Sequence, residues 1–174
     1  MTRRKYLLVD GYNIIHAWNE LALLAADSLA NARLKLCDIL CNYQGATGLI
    51  VIVVFDAHLV EGNIGSIEEY HNITIVYTKE AETADHYIEQ TAWALARKDK
   101  VIVATSDGLE QIIILSHGAR RMSARDLLAD VHYVKEQQHE RYLRAPGIKN
   151  NPLAGLLDSE TAKLLDEMRY GTPD

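Results

Sequence analysis

Leu49 to Phe55 (LIVIVVF) is an unbroken apolar run rich in β-branched residues. A strand without polar alternation has to be covered on both faces, the situation of a central strand in a parallel sheet. Three further runs have the length of strands: Lys5 to Val9 (KYLLV), Ile73 to Tyr77 (ITIVY) and Val101 to Ala104 (VIVA). A fifth, short strand is expected around Ala119 to Met122.

Helical spacing fills the intervals between them. Leu29, Ala32, Leu36, Leu40 and Tyr43 recur on one face, with Ser28 placed as N-cap and Gly45 near the end. Thr83 opens a second helix whose Ala84, Ile88, Thr91 and Leu95 share a face. Thr105-Ser106-Asp107 starts a third, running to His117 with Gly118 as its C′ residue. Ser123-Ala124-Arg125-Asp126 has the form of a capping box, opening a helix that reaches Arg144 before Pro146-Gly147. A last amphipathic helix is expected from Ser159 to about Arg169. Asp10-Gly11 reads as a turn closing the first strand, and the segment with Gly62 and Gly65 as a loop. Alternating strands and helices predict an α/β fold with a mostly parallel sheet. The 174 residues are expected to form one domain, with C-terminal helices from about 123–169.

No apolar run approaches the roughly 18–20 residues that span a bilayer, and a cytoplasmic location is expected by default. Cys37 and Cys41 lie four apart in a helical pattern with no companion ligand pair, and are expected as free thiols. The net charge of −6 argues against a protein that coats nucleic acid. Its distribution is uneven, however. Between Arg120 and Lys149 seven basic residues face four acidic ones, a local +3, so the remainder carries −9. An acidic site beside a basic strip suits a metal-dependent nuclease, and a solvated helix face explains the strip equally well.

In an open parallel sheet, ligands bind beyond the carboxyl ends of the strands, where strand order reverses. Asp10 ends the first strand, Asp56 the second, and Asp107 follows the fourth by two residues. Asp85 enters in the first turn of the helix after the third. Singly, each has a structural explanation: Asp107 with Glu110 forms a capping-box pattern, and an acid in a first helical turn is favoured by the macrodipole. Together on one rim they point to a shared site. Carboxylates so close need a neutralising cation, and oxygen-only ligation suits Mg²⁺ or Mn²⁺. Such a metal supports phosphodiester hydrolysis.

Supporting roles fall to neighbours. Asn13 is placed to hold water or phosphate through its amide, and Thr105 and Ser106 to bind phosphate or scaffold the carboxylates. Arg120, Arg121 and Arg125 offer guanidinium forks to an RNA backbone. Tyr12, His16 and Trp18 are candidates for stacking on bases, with core packing the commoner fate of Trp18, Trp93 and most tyrosines.

Four segments carry a family resemblance: Leu8-Val9-Asp10-Gly11-Tyr12-Asn13-Ile14-Ile15, Val53-Val54-Phe55-Asp56-Ala57, Thr83-Ala84-Asp85 and Thr105-Ser106-Asp107. In order and spacing the chain resembles the NYN branch of the PIN-like nucleases, specifically the bacterial YacP-like endoribonucleases, over roughly residues 5–145. The resemblance implies a three-layer α/β/α sandwich and Mg²⁺- or Mn²⁺-dependent cleavage of single-stranded RNA to leave a 5′-phosphate and a 3′-hydroxyl. It implies Asp10, Asp85 and Asp107 as metal ligands, Asn13 as an accessory residue and Asp56 as a further acid. PIN-like sites often include a glutamate, and the pattern does not choose between Glu82 and Glu89. It also implies a ribosomal partner, since YacP-like proteins cut messenger RNA on translating ribosomes. Two other readings compete: a different phosphate-binding α/β domain, disfavoured by the absence of G-x-G-x-x-G and G-x-x-x-x-G-K-[ST], and a catalytically silent RNA- or ribosome-binding module.

Overall fold

The structure is a computed structural model that describes residues 3–56, 65–79, 82–106 and 118–144. Six strands form one sheet: β1 (Lys5–Asp10), β2 (Ile50–Phe55), β3 (Ser66–Tyr70), β4 (Ile73–Tyr77), β5 (Lys100–Ala104) and β6 (Arg120–Met122), in the spatial order β3-β4-β2-β1-β5-β6. Every pairing is parallel except β3 with β4. The helices are α1 (Gly11–Ala17), α2 (Asn19–Asp27), α3 (Leu29–Thr47), α4 (Ala84–Ala96) and α5 (Ala124–Arg144).

Alternation along the strands divides the core in two. Leu7, Val9, Val51, Val53, Phe55 and Ile75 face one layer, which includes Ile14, Leu21, Leu36, Leu40 and Leu127 from α1, α2, α3 and α5, and Trp18 from the junction of α1 and α2. Leu8, Val54, Val76, Val101 and Val103 face Ala84, Ile88 and Ala92 of α4. That is the expected three-layer α/β/α arrangement. The apolar run of β2 lies inside the sheet, with Val51, Val53, Val54 and Phe55 fully buried. Each such side chain contributes about 1.5–3 kcal/mol of burial free energy.

The capping readings hold. Ser28 Oγ accepts the Asn31 N–H at 3.3 Å, and Thr83 Oγ1 accepts the His86 N–H at 3.3 Å. Ser123 and Asp126 form the reciprocal box, Ser123 Oγ accepting the Asp126 N–H at 3.1 Å and Asp126 returning the bond at 3.4 Å. These bonds hold the Asp126 carboxyl below its ordinary range, with Arg125 and Arg121 assisting. α3 runs past Gly45 and ends at Gly48, whose φ of 70° is the left-handed conformation glycine adopts without penalty.

Two segments differ from the sequence reading. Asp10-Gly11 is not a turn: the chain passes directly from β1 into α1, with Asp10 as the N-cap, and α2 follows before α3. The segment before Ile73 holds β3, an antiparallel edge strand with Ser66 opposite Tyr77 and Tyr70 opposite Ile73. Its sequence, SIEEY, lacks the apolar character of the inner strands because one side of an edge strand faces water. The helix expected from Asp107 to His117 and the one from Ser159 lie outside the described residues; Gly118 has φ 80°.

The chain divides into two compact units, residues 1–138 and 139–174. The first holds the whole sheet and α1 to α4. Of the second, residues 139–144 are described, as the end of α5. Among the described residues no helix is long and apolar enough to cross a membrane.

Candidate active site

β1 sits between β2 and β5. The chain leaves β1 towards β2 and β4 on one side, then returns through α4 to β5 on the other, so the strand order reverses at the carboxyl end of β1. Asp10 occupies that end. Val9 is opposite Ala104 and Asp10 opposite Val54, so Asp10 is level with the residue after β5, Thr105, and Asp56 lies two residues beyond on β2.

The four residues of Asp10-Gly11-Tyr12-Asn13 each meet a different demand. Asp10 is 8% exposed, and its Oδ1 accepts the Asn13 N–H at 3.0 Å, capping α1. Gly11 packs beneath the Phe55 ring: a Cβ there would lie 2.2 Å from Cε1, a distance no side chain occupies. Tyr12 meets the same ring edge-on, with centroids 5.1 Å apart, and its hydroxyl accepts a hydrogen bond from Arg33 Nη1 at 3.0 Å. Asn13 Oδ1 accepts the Ser106 N–H at 2.7 Å, across 93 residues of sequence. Because the amide oxygen is committed to a backbone donor, the Nδ2 group is the end of Asn13 left to donate elsewhere.

Asp85 reaches the same end of the sheet by another route. α4 begins where β4 has just delivered the chain to the rim, and Ala84, Ile88 and Ala92 anchor it on the sheet face that carries Leu8 and Val54. Strand alternation puts Asp10 on the Leu8 face, so Asp10 and Asp85 share both an end and a face of the sheet. Asp85 is exposed, and Glu89 is one turn further along α4. Glu82 precedes the Thr83 N-cap, its N–H donating to the Lys79 carbonyl at 2.8 Å. Asp56 is half-buried. Among the described residues no three His, Cys, Asp or Glu side chains come together as a metal-binding group. Asp107, the third expected ligand, lies outside the described residues.

Several expected RNA contacts are corrected by burial. Tyr12 is 7% exposed and occupied by Phe55 and Arg33, so it offers no face to a base. Trp18 is 3% exposed, with Nε1 donating to the Ala124 carbonyl at 2.8 Å, and is a core residue, the commoner fate the sequence reading gave it. Thr105 is fully buried and its N–H donates to the Met122 carbonyl at 3.2 Å; it supports the rim rather than touching RNA. Ser106 and His16 are exposed. The arginines do not form one strip. Arg120 and Arg121 are adjacent in β6 and project to opposite faces of the sheet, whereas Arg121 and Arg125 both lie near Asp126 at the start of α5. The sequence offered no sign of Arg33, which stands in a helical pattern like any solvated arginine; its position emerges only when α3 packs beside α1.

The thiols are free, Cys37 buried and Cys41 half-buried. Burial raises the Cys37 thiol to about 12, so it is no nucleophile at neutral pH.

A three-layer α/β/α domain built on a mostly parallel six-stranded sheet is the architecture of the PIN-like nuclease class. This chain belongs to the YacP-like NYN domain family, which it matches over residues 7–170. It is 44% identical over 171 residues to the uncharacterized protein YacP of Bacillus subtilis strain 168, covering 97% of this chain and 98% of that one. Its fold matches the crystal structure of Rae1 (YacP) from Bacillus subtilis with a TM-score of 0.69 at 44% identity, covering 95% of each chain. A tryptophan-to-leucine mutant of that protein matches with a TM-score of 0.72 at 38% identity, covering 94% of this chain and 99% of the other. The family supports a nuclease-type, RNA-related function.

Proposed function

We infer that the chain is a metal-dependent endoribonuclease that hydrolyses phosphodiester bonds of single-stranded RNA. The observation that carries the reading is the position of Asp10: a nearly buried carboxylate at the strand-order reversal, tied through Asn13 to the end of β5 and sharing its sheet face with Asp85. The whole chain is read as one nuclease domain, in keeping with the extent of the family match.

Asp10, Asp85 and Asp107 are the residues proposed to hold the cation. The donor set is all oxygen, which suits Mg²⁺ or Mn²⁺, and the two described members come from rigid elements, a strand end and a helix's first turn. When bound, such an ion would supply Lewis-acid polarisation of the phosphoryl group and a nucleophilic water. The chain's own residues bind and orient. Asn13 directs its Nδ2 donor to a phosphate oxygen or to the attacking water, while its Oδ1 keeps Ser106 and the segment after β5 in register with α1. Asp56 adds negative charge that favours cation binding at the rim. Arg121 and Arg125 receive the RNA backbone at the β6 side.

The resemblance to YacP-like endoribonucleases extends the proposal to messenger RNA on the ribosome, with products bearing a 5′-phosphate and a 3′-hydroxyl, and thus to the cytoplasm. The test is to incubate a labelled single-stranded RNA with the protein plus Mg²⁺ or Mn²⁺, with chelator, and with Asp10→Asn or Asp85→Asn. Cuts that require metal and vanish with either substitution are expected. Cleavage surviving both substitutions would sink the assignment, and RNA or ribosome binding without any cleavage would favour a silent binding module.

A further inference from the structure

Arg33 is the fifth residue of α3, whose N-terminal end lies at the same rim as Asp10 because α3 runs back along the sheet to the start of β2. Its guanidinium is half-buried and donates one hydrogen bond, from Nη1 to the Tyr12 hydroxyl at 3.0 Å. Tyr12 stands two residues after Asp10. Its ring packs on Phe55, the residue before Asp56, and Phe55 stacks on Tyr77 with centroids 5.7 Å apart. Arg33 also lies close enough to Tyr77 to oppose the upward shift that burial imposes on that hydroxyl.

Among the described residues the charge of Arg33 has no ion-pair partner. Lys35, two residues on, is 3.8 Å from Glu20, whereas among the described residues no carboxylate lies within ion-pairing distance of Arg33. A half-buried guanidinium is most favourably placed beside an anion. Of the five N–H donors in its planar fork, the one bonded to Tyr12 fixes the group, and the others are not spent on described partners. A fork pre-oriented by a hydroxyl matches the geometry of a phosphate.

We propose that Arg33, held by the Tyr12 hydroxyl at the rim that carries Asp10 and Asp56, binds a backbone phosphate of the single-stranded RNA on the β2 and β4 side of the bond to be cut. This rests on the ribonuclease reading and extends it. RNA would cross the rim from Arg121 and Arg125 at the β6 side to Arg33 at the other, with Asp10 between. Tyr12 thereby contributes to RNA binding without touching RNA, by positioning Arg33.

The test uses the full chain, an unstructured single-stranded RNA oligonucleotide and chelator, so that binding is measured without cleavage across roughly 50 to 200 mM salt. Arg33→Gln should bind about fivefold more weakly near 0.1 M salt, with the slope of log K against log salt shallower by about 0.7, the contribution of one single-strand phosphate. Arg33→Lys should retain the slope while losing part of the affinity, and Tyr12→Phe should weaken binding with the slope unchanged. With metal, Arg33→Gln should raise KM more than it lowers kcat. An independent measurement on the unaltered protein uses phenylglyoxal, which modifies arginine: saturating RNA should protect Arg33. Unchanged affinity and slope in a folded Arg33→Gln protein, or equal modification of Arg33 with and without RNA, would overturn the proposal while leaving the nuclease reading intact. If the unaltered protein neither binds nor cuts RNA, the nuclease reading fails first and this inference with it.

Discussion

The side-chain oxygen of Asn13 and the backbone N–H of Ser106 meet at 2.7 Å, joining the first turn of α1 to the segment that follows β5. β1 and β5 are already neighbours in the sheet, and this bond continues their register past the point where strand pairing stops. Ser106 is thereby held against the first turn of α1.

Removing that bond should cost both stability and activity. Asn13→Ala leaves the Ser106 N–H to water, a net loss of about 0.5–1.5 kcal/mol for a bond at an exposed position. A lowered urea midpoint and at least tenfold slower RNA cleavage are expected. Asn13→Asp keeps an acceptor oxygen in place, so it should recover most of the stability and little of the activity, because the Nδ2 donor is gone. Equal midpoints for Asn13→Ala and the unaltered protein would show that the clamp is idle.

Gly11→Ala should destabilise the protein for a reason unrelated to helix propensity. Alanine is the better helix former, yet its Cβ would stand 2.2 Å from Phe55 Cε1 and 2.8 Å from Cζ. Overpacking of this kind costs about 1–3 kcal/mol. Phe55→Leu in the same molecule should return part of the loss, and a double-mutant cycle by chemical denaturation would read a coupling of opposite sign to the two single effects. Purely additive effects would mean that the two sites relax independently.

Stability should fall on the alkaline side, and Cys37 gives the sign. Its folded pKa is raised by burial from 9.0 to about 12, so the folded state favours the neutral thiol. The contribution is complete below pH 9 and is lost as pH rises from 9 towards 12, where the unfolded chain ionises first. Tyr43 acts in the same direction, held protonated by burial and by its hydrogen bond to Asp130. Thermal melts should therefore be flat from neutrality to about pH 8.5 and decline above pH 9, with a shallower decline in Cys37→Ala. An identical alkaline slope in that variant would assign the effect elsewhere.

The Tyr43 hydroxyl donates to Asp130 Oδ2, linking the C-terminal part of α3 to α5 over 87 residues of sequence. Tyr43→Phe keeps the buried ring and removes the donor. A hydrogen bond to a charged acceptor is worth about 1.5–3 kcal/mol, so the melting temperature should drop by several degrees. Hydrogen exchange should rise selectively in α5 between Ala124 and Gln138, and uniform acceleration throughout the chain would show that the bond does not specifically anchor that helix.

Much of the fold was legible because its signals are short-range. The apolar run at Ile50–Phe55, the N-caps Ser28 and Thr83 and the Ser123–Asp126 box each occupy a few consecutive residues, and each forms as its local chemistry requires. α1 and α2 were hidden because Asp10-Gly11 carries the residues of a turn, and only the strand ahead of it and the layer beneath turn those residues into a cap and a close contact. β3 was hidden because an edge strand need not be apolar. For the site, sequence placed Asp10, Asp56 and Asp85 at element ends. It misjudged Tyr12 and Thr105, whose burial depends on Phe55 and Met122 arriving from elsewhere.

Sequence alone therefore determined the inner strands, α3, α4 and α5, the aspartates at element ends and, through four motifs in order, the family. Only tertiary structure decided that β1 lies between β2 and β5, that Asn13 holds Ser106, and that Arg33 is fastened to Tyr12 at the rim. The division has a physical cause. Caps and periodicity arise between residues a few positions apart, whereas strand order and the partners of a buried polar group are selected among distant segments by burial and hydrogen-bond satisfaction, which no single window of sequence contains.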